Sequence, residues 1–440
     1  MGTLRNINYK LWMVLILTSF IPLIYSTSRI HFLGDMPNTW SFSIAAQVAW
    51  LNIFYEVLSE ALLIPLAFIL GGSISDNVKY RIRMSTSFSI VMITYLIVTT
   101  YVLMYTPDLV KTMGQEAQLE QQTIEYIRLE SIAILISSAY AFFNLTLILK
   151  NSQKALYALL IMQTILTVLG DYLFVSQHQY SLRLGVTGIA ITNILANLIL
   201  SVIAVRFLTK EGLKLSNCQF SNQPWIFTWF KIGSKSGIES FVRNCAFLVM
   251  ILQLINQVQQ AGTYWVTNNF IWGWLLLPIL ALGQLIKRDT AINHGLSSDK
   301  INGYFTLTFI CILFWFISLP YWELFITHIM GIDKADEIIS LTMLLVGFYV
   351  VFAFNNVIDS YFYGLGRTDL ILYQSLAVNI LFYGSAFIAY HAGWYTPSLE
   401  TIAWMFGLGL IFDAAITFGL YLWLRRIQQT FVLHKLRLES

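Results

Sequence analysis

Charge is scarce in this 440-residue chain, with Asp, Glu, Lys and Arg together at 11%, against about 25% in an average soluble protein. Hydrophobic residues reach 57%, above the usual level of roughly 45–50%, and this balance excludes a soluble globular fold. Cysteine is also rare: Cys218, Cys245 and Cys311 are widely spaced and odd in number. They cannot form a complete disulfide set and read as apolar packing residues. The six histidines, His31, His178, His294, His328, His391 and His434, fall in loops or near segment ends, and none has metal-ligand spacing with another His or Cys. There is no Walker-type glycine loop, which argues against ATP-driven transport by this chain alone. A net charge of +3 without a long basic run gives nucleic acid nothing to bind. These absences remove the common enzyme classes.

What is present is a succession of apolar runs. A hydrocarbon core about 30 Å thick needs roughly 20 apolar residues per helix. Runs of that length fall at 11–32, 41–70, 85–105, 124–149, 155–176, 185–208, 225–255, 263–286, 302–320, 338–362, 370–391 and 399–424, which predicts an all-α polytopic membrane protein of about twelve spans. The first run follows Arg5 and Lys10, contains Pro22 and ends in Arg29. It is too long for a signal peptide and lacks a small-residue cleavage pattern, so it is read as a retained helix.

Loop charge tests the count, because cytoplasmic loops are rich in Lys and Arg. Lys79, Arg81 and Arg83 follow the second segment, Lys150 and Lys154 the fourth, and Arg206, Lys210 and Lys214 the sixth. Lys287, Arg288 and Lys300 follow the eighth, Arg367 the tenth, and Arg425, Arg426, Lys435 and Arg437 the twelfth. The intervening loops carry Asp35, then Asp108, Glu116 and Glu120, and later Glu323, Asp333, Asp336 and Glu337. The alternation places both termini in the cytoplasm and the protein in the cell membrane, with the lipid bilayer as its partner.

Two proline-broken stretches, Leu62-Leu63-Ile64-Pro65-Leu66 and Leu276-Leu277-Pro278-Ile279-Leu280, lie 278 − 65 = 213 residues apart. Proline frees a backbone carbonyl that hydrocarbon cannot satisfy, so such breaks persist where protein or a wet cavity lines them. The stretches Leu147 to Lys154 and Tyr363 to Asp369 repeat at an offset of about 215 residues, as a duplicated transporter would. The expected organisation is an N-lobe at 1–210, a cytoplasmic linker at 211–224 with Gly212, Asn217 and Pro224, and a C-lobe at 225–440. Six spans is an even number, so the halves form a parallel repeat, two six-helix bundles about a pseudo-two-fold axis along the membrane normal.

Ionisable groups within the spans are costly and are functional candidates. Glu56 and Glu60 lie one turn apart ahead of Pro65. Two acids so close would share a proton or a cation, unless each pairs with a basic residue on another helix. Segment seven carries Lys235, Glu239 and Arg243 at four-residue steps. This stripe either neutralises itself or offers Arg243 to an acid or an anionic substrate group. Asp171, Asp359 and Asp413 stand alone in apolar helices, although Asp359 follows Asn355 and Asn356 and so sits among oxygen ligands. Nothing polar accompanies Asp413 in its own segment, which gives it the weakest claim. Trp265, Trp272, Trp274, Tyr361 and Tyr363 are read mainly as interfacial belts or packing, with a few able to meet an organic cation.

Leu184-Gly185-Val186-Thr187-Gly188-Ile189-Ala190 resembles the LGVxGxA opening of helix six in the multidrug and toxic compound extrusion (MATE) family. Leu169-Gly170-Asp171-Tyr172-Leu173 resembles that family's LDxL motif in helix five. Ile358-Asp359-Ser360 with Gly364-Leu365-Gly366-Arg367-Thr368 resembles its helix-ten acid and following loop, and Lys231-Ile232-Gly233 with Gly237 resembles the start of helix seven. The resemblance runs over essentially the whole chain. It implies a V-shaped pair of bundles and an acid cluster in the first lobe that binds Na⁺ or H⁺. Asp171 matches the helix-five member of that cluster. Ser26 stands where the helix-one acid would be, and Thr167 where the family has Asn. Asn193 is grouped with them, and Glu56 or Glu60 is the candidate for the missing carboxylate. In the second lobe Asp359 matches a functional acid of one subgroup, with Arg243 in place of that subgroup's helix-seven Glu; Asn355 and Glu239 complete that cavity.

These readings predict a secondary-active exporter of amphipathic organic compounds rather than an enzyme. It has no cofactor, couples to Na⁺ or H⁺, and works as a monomer with Pro65 and Pro278 as helix breaks. A lipid-linked saccharide flippase of the same superfamily and a transport-inactive receptor or scaffold are the alternatives.

Overall fold

The computed structural model describes residues 7–34, 40–71, 73–74, 76–150, 152–213, 223–293 and 295–438. Asp35, Asn151, Lys214, Asn217, Cys218 and His294, all used above, lie outside the described residues, as does most of the expected linker. Among the described residues every regular element is helical.

Among the described residues, eleven helices are long and apolar enough to cross a membrane, and a bent pair makes a twelfth. In chain order they are α1 (Tyr9–Gly34), α2 (Ser41–Gly71), α3 (Asn77–Met113), α4 (Glu120–Leu149), α5 (Gln153–Phe174) and α6 (Val186–Lys210). They continue with α7 (Pro224–Gln257), α8 (Ala261–Leu275 and Leu277–Thr290), α9 (Ser298–His328), α10 (Ala335–Gly364), α11 (Thr368–His391) and α12 (Leu399–Arg426). Large apolar side chains such as Ile97 and Met104 on α3 and Ile317 on α9 are exposed, as lipid-facing positions require. The chain is an all-α, multi-pass membrane protein.

Contacts divide the chain into two compact units. Unit 1 gathers Met1–Leu23, Thr267–Phe325 and Lys334–Ser440; unit 2 gathers Ile24–Val266 and Ile326–Asp333. Each has its own apolar core. In unit 2 it includes Leu51, Leu66, Phe142 and Trp229, and in unit 1 Leu285, Tyr304 and Phe362. Packing therefore does not follow chain order alone: α7, which opens the second half of the sequence, packs on α2 in unit 2.

The two prolines shape their helices differently. In α2 the turn Ser59–Leu63 is a π-turn, with the Ile64 N–H bonded to the Ser59 carbonyl. Pro65 has no N–H to continue that register onto Glu60. The Glu60 carbonyl instead accepts from Ser236 Oγ of α7 at 2.8 Å, and the Leu62 carbonyl accepts from Trp229 Nε1 at 2.9 Å. Close approach is possible because Gly233 and Gly237 face Ala61. A Cβ at Gly233 would stand 1.9 Å from the Ala61 carbonyl oxygen. Without a hydrophobic driving force between helices in lipid, small residues and such polar contacts determine the pairing.

The two segments of α8 meet at 54°, after a π-turn over Phe270–Leu275. Trp12 Nε1 donates to the Pro278 carbonyl at 3.0 Å, and Trp315 Nε1 to the Leu275 carbonyl at 2.7 Å. Below the bend Gly283 brings α8 onto α10: a Cβ there would lie 2.8 Å from Ser360 Oγ and 2.9 Å from Asn356 Nδ2.

Candidate ion-coupling sites

In unit 2 the site begins with a glycine. Gly170 on α5 faces Thr192 on α6, where an added Cβ would meet Thr192 Cγ2 at 2.6 Å. That contact puts the next residue of each helix, Asp171 and Asn193, within reach of one side chain from α1. Arg29 Nε donates to Asp171 Oδ2 at 2.7 Å, and Arg29 Nη2 to Asp171 Oδ1 at 3.3 Å and to Asn193 Oδ1 at 2.9 Å. The amide of Asn193 then donates to Glu130 of α4, at 2.9 and 3.1 Å to its two oxygens. The Asn193 orientation is fixed by this chain of bonds, since its oxygen must face the guanidinium. Asp171 is fully buried and Glu130 nearly so. The tethered cation thus holds one carboxylate directly, through two nitrogens, and reaches a second through the Asn193 amide.

Two of these groups went unread in the sequence. Arg29 looked like the polar end of the first span, and Glu130 fell within an apolar run without comment. Thr167 lies buried one turn before Asp171, and Ser26 lies three residues before Arg29 on α1. Glu56 and Glu60 do not supply Asp171's companion carboxylate; Glu130 does. Glu56 instead meets Arg243 Nη2 at 2.8 Å, and Glu239 meets Arg243 Nη1 at 3.4 Å. Glu60 lies within electrostatic reach of the same three residues. Arg243 is 44% exposed and Glu56 36%, so this α2–α7 patch is an open, mixed-charge surface and not a closed ligand set.

In unit 1, α10, α11 and α12 build a second cluster. Asn355 Nδ2 donates to Asp359 Oδ2 at 3.1 Å and to Asp413 Oδ2 at 2.8 Å. Gln374 Nε2 donates to Asp413 Oδ1 at 2.8 Å, and Thr417 Oγ1 reaches Asp359 Oδ1 at 3.4 Å. Asp413 therefore has polar company after all, drawn from two other helices that its own segment could not reveal. Among the described residues, no Lys or Arg is within salt-bridge distance of either acid. Lys287 is in electrostatic reach of Asp359, but its Nζ sits 4.7 Å above the Tyr363 ring. The side-chain oxygens of Asn355 and Gln374 are buried and, among the described residues, accept no hydrogen bond. A pair of carboxylates joined by one amide repels when both are ionised, so it can hold a proton or accept a monovalent cation. The two amide oxygens are available as further ligands.

No family model matches the sequence, and no curated protein matches it. Solved structures do match the fold. An inward-facing multidrug resistance MATE family transporter of the MOP superfamily superposes with a TM-score of 0.75 at 17% identity, over 92% of this chain and 94% of that one. A MOP superfamily transporter from Pyrococcus furiosus, described with a reverse polarity of its binding pocket, gives 0.64 at 18% identity over 96% of both chains. The outward-facing conformation of a multidrug resistance MATE family transporter gives 0.63 at 16% identity over 97% of both. Over nearly its full length, the chain has the fold of the MATE transporters of the MOP superfamily.

Proposed function

We propose that this protein is a secondary-active exporter of amphipathic organic compounds, driven by exchange for H⁺ or Na⁺. It resides in the cell membrane with both termini in the cytoplasm. The observation that carries this reading is the Asp359–Asp413 pair, bridged by Asn355 with no basic partner in salt-bridge distance among the described residues. Such a pair in a spanning bundle is costly as a purely structural feature and changes its interactions strongly when a cation binds. Solved relatives of the fold include both inward-facing and outward-facing states, which supports alternating access.

In this mechanism the ion acts through differential affinity. A proton or Na⁺ at Asp359 and Asp413 removes their repulsion and draws α10, α11 and α12 together around Asn355 and Gln374. The conformer that binds the ion more tightly is populated in proportion to that difference. The open patch of Glu56, Glu60, Glu239 and Arg243 supplies polar contacts for the head group of an amphipathic substrate.

Everted vesicles supplied from outside with a panel of fluorescent organic compounds test the proposal as uptake under imposed H⁺ and Na⁺ gradients. Transport of at least one compound is expected under one gradient, with collapse when the ionophore for that ion is added. Flat signals for the whole panel under both gradients would contradict it.

A further inference from the structure

We infer that Arg29 is a tethered substitute for a bound cation in unit 2, so that only unit 1 takes up an external ion. The inference deepens the reading of unit 1 as the coupling site and rests on it for its mechanistic consequence. Its physical basis is the contrast between two acid-containing clusters in one molecule. In unit 2 the guanidinium fills the space between Asp171 and Asn193, with both Asp171 oxygens and the Asn193 oxygen accepting from it. In unit 1, among the described residues, the acids receive only neutral donors, and two buried amide oxygens beside them accept nothing.

A metal cation at Asp171 would need the same three oxygens that Arg29 already holds. It would also have to approach a fixed positive charge in a low-dielectric interior, where repulsion is weakly screened. A guanidinium does not titrate in the physiological range and cannot diffuse away, so the Asp171 carboxylate keeps its partner through ordinary changes of pH and salt. Glu130 and Tyr126 on α4, Tyr25 on α1 and Asp171 on α5 are the other titratable groups facing Arg29. Arg29 is therefore a specificity-determining residue: its presence makes unit 2 indifferent to the ion that unit 1 exchanges. Removing it should convert Asp171, Asn193 and Glu130 into an ion-dependent site.

The test uses the full chain in lipid nanodiscs and reads thermal unfolding by tryptophan fluorescence. NaCl is compared with choline chloride at equal ionic strength, and the series is repeated from pH 5.5 to 8. In a D359N/D413N background, which silences unit 1, the protein with Arg29 intact should show no Na⁺-specific or proton-specific shift. Adding Arg29→Gln should create a rise of at least about 2 °C with Na⁺ or on acidification, and Asp171→Asn should abolish it. If Arg29→Gln does not fold, the charge-balanced R29Q/E130Q pair serves, with Asp171 as the remaining acid. An ion-specific shift in the D359N/D413N protein that Asp171→Asn removes would overturn the inference, as would its absence from the Arg29 variants. The coupling reading of unit 1 fails separately: wild-type protein would then match D359N/D413N in both salts, while the Arg29→Gln gain would still appear.

Discussion

Trp12 and Trp229, 229 − 12 = 217 residues apart, make the same kind of bond at the proline break carried by the opposite half of the sequence. Trp12 donates to the Pro278 carbonyl and Trp229 to the Leu62 carbonyl. Their spacing nearly equals the 278 − 65 = 213 residues between the prolines. The opening helix of each half is thus fastened to the broken helix of the other, within one compact unit in each case.

Replacing either tryptophan with phenylalanine keeps the ring and removes the indole donor. Each variant is expected to lose about 0.6–1.7 kcal/mol, the scale of interhelical bonds in membranes. Unfolding in detergent with a graded denaturant checks this, and Trp229→Phe combined with Ser236→Ala should cost more than either alone, because both side chains serve carbonyls of the same turn.

Gly233 and Gly170 are expected to tolerate alanine poorly, for different reasons. At Gly233 the new Cβ would meet the Ala61 carbonyl oxygen, which is backbone and cannot rotate away; at Gly237 it would meet only the Ala61 Cβ at 2.9 Å. Gly233→Ala should therefore destabilise more than Gly237→Ala, by about 1–3 kcal/mol for the former. At Gly170 the obstacle is the Thr192 side chain, so Thr192→Ala should restore part of the stability lost in Gly170→Ala. Thermal unfolding of the two singles and the double variant measures that rescue.

Gln47 and Asn256 exchange two hydrogen bonds of 2.9 Å each, and Asn256 also donates to the Met113 carbonyl at 2.7 Å. Both side chains are buried. Gln47→Leu alone leaves the buried Asn256 Oδ1 without its donor, while the Met113 bond stays, and should cost about 1–3 kcal/mol. The Gln47→Leu/Asn256→Leu pair should cost less than the sum of the two singles, and a double-mutant cycle on unfolding free energies gives the coupling.

Asp76 caps α3, accepting from the backbone N–H groups of Val78 and Lys79 at 3.1 Å each. The Lys79 N–H bond is the main cause holding its carboxyl below the ordinary value. A depressed folded value means that the stabilisation is complete above the unfolded value and is lost as pH falls through the folded one. Asp76→Asn keeps a cap without the titration, so the two proteins should converge in stability at acidic pH and separate towards neutrality, as read by Tm against pH.

The spans and their number were legible in the sequence because length and hydropathy in a bilayer are local properties. Pro278 likewise announced the 54° bend of α8, whereas α2 runs on past Pro65 with a π-turn ahead of it and no such bend. The pairings were not legible. Arg29 meets Asp171 across 142 residues, and Asn355 meets Asp413 across 58. No periodicity within α1 or α12 encodes such a partner. The assignment of Glu56 and Glu60 to Asp171 failed because Arg243, one charge in a stripe on α7, lies nearer to them. The grouping of α7 with unit 2 was hidden as well, since it depends on Gly233 and Gly237 meeting Ala61 rather than on chain order.

The most direct measurement is gradient-driven transport by the reconstituted protein with Asp413 and Asp171 exchanged separately for asparagine. The account predicts that Asp413→Asn abolishes dependence on the ion gradient. Asp171→Asn should leave the identity and stoichiometry of the coupled ion unchanged, whatever it does to rate. Ion-coupled transport that survives Asp413→Asn intact but loses its ion dependence with Asp171→Asn would contradict it.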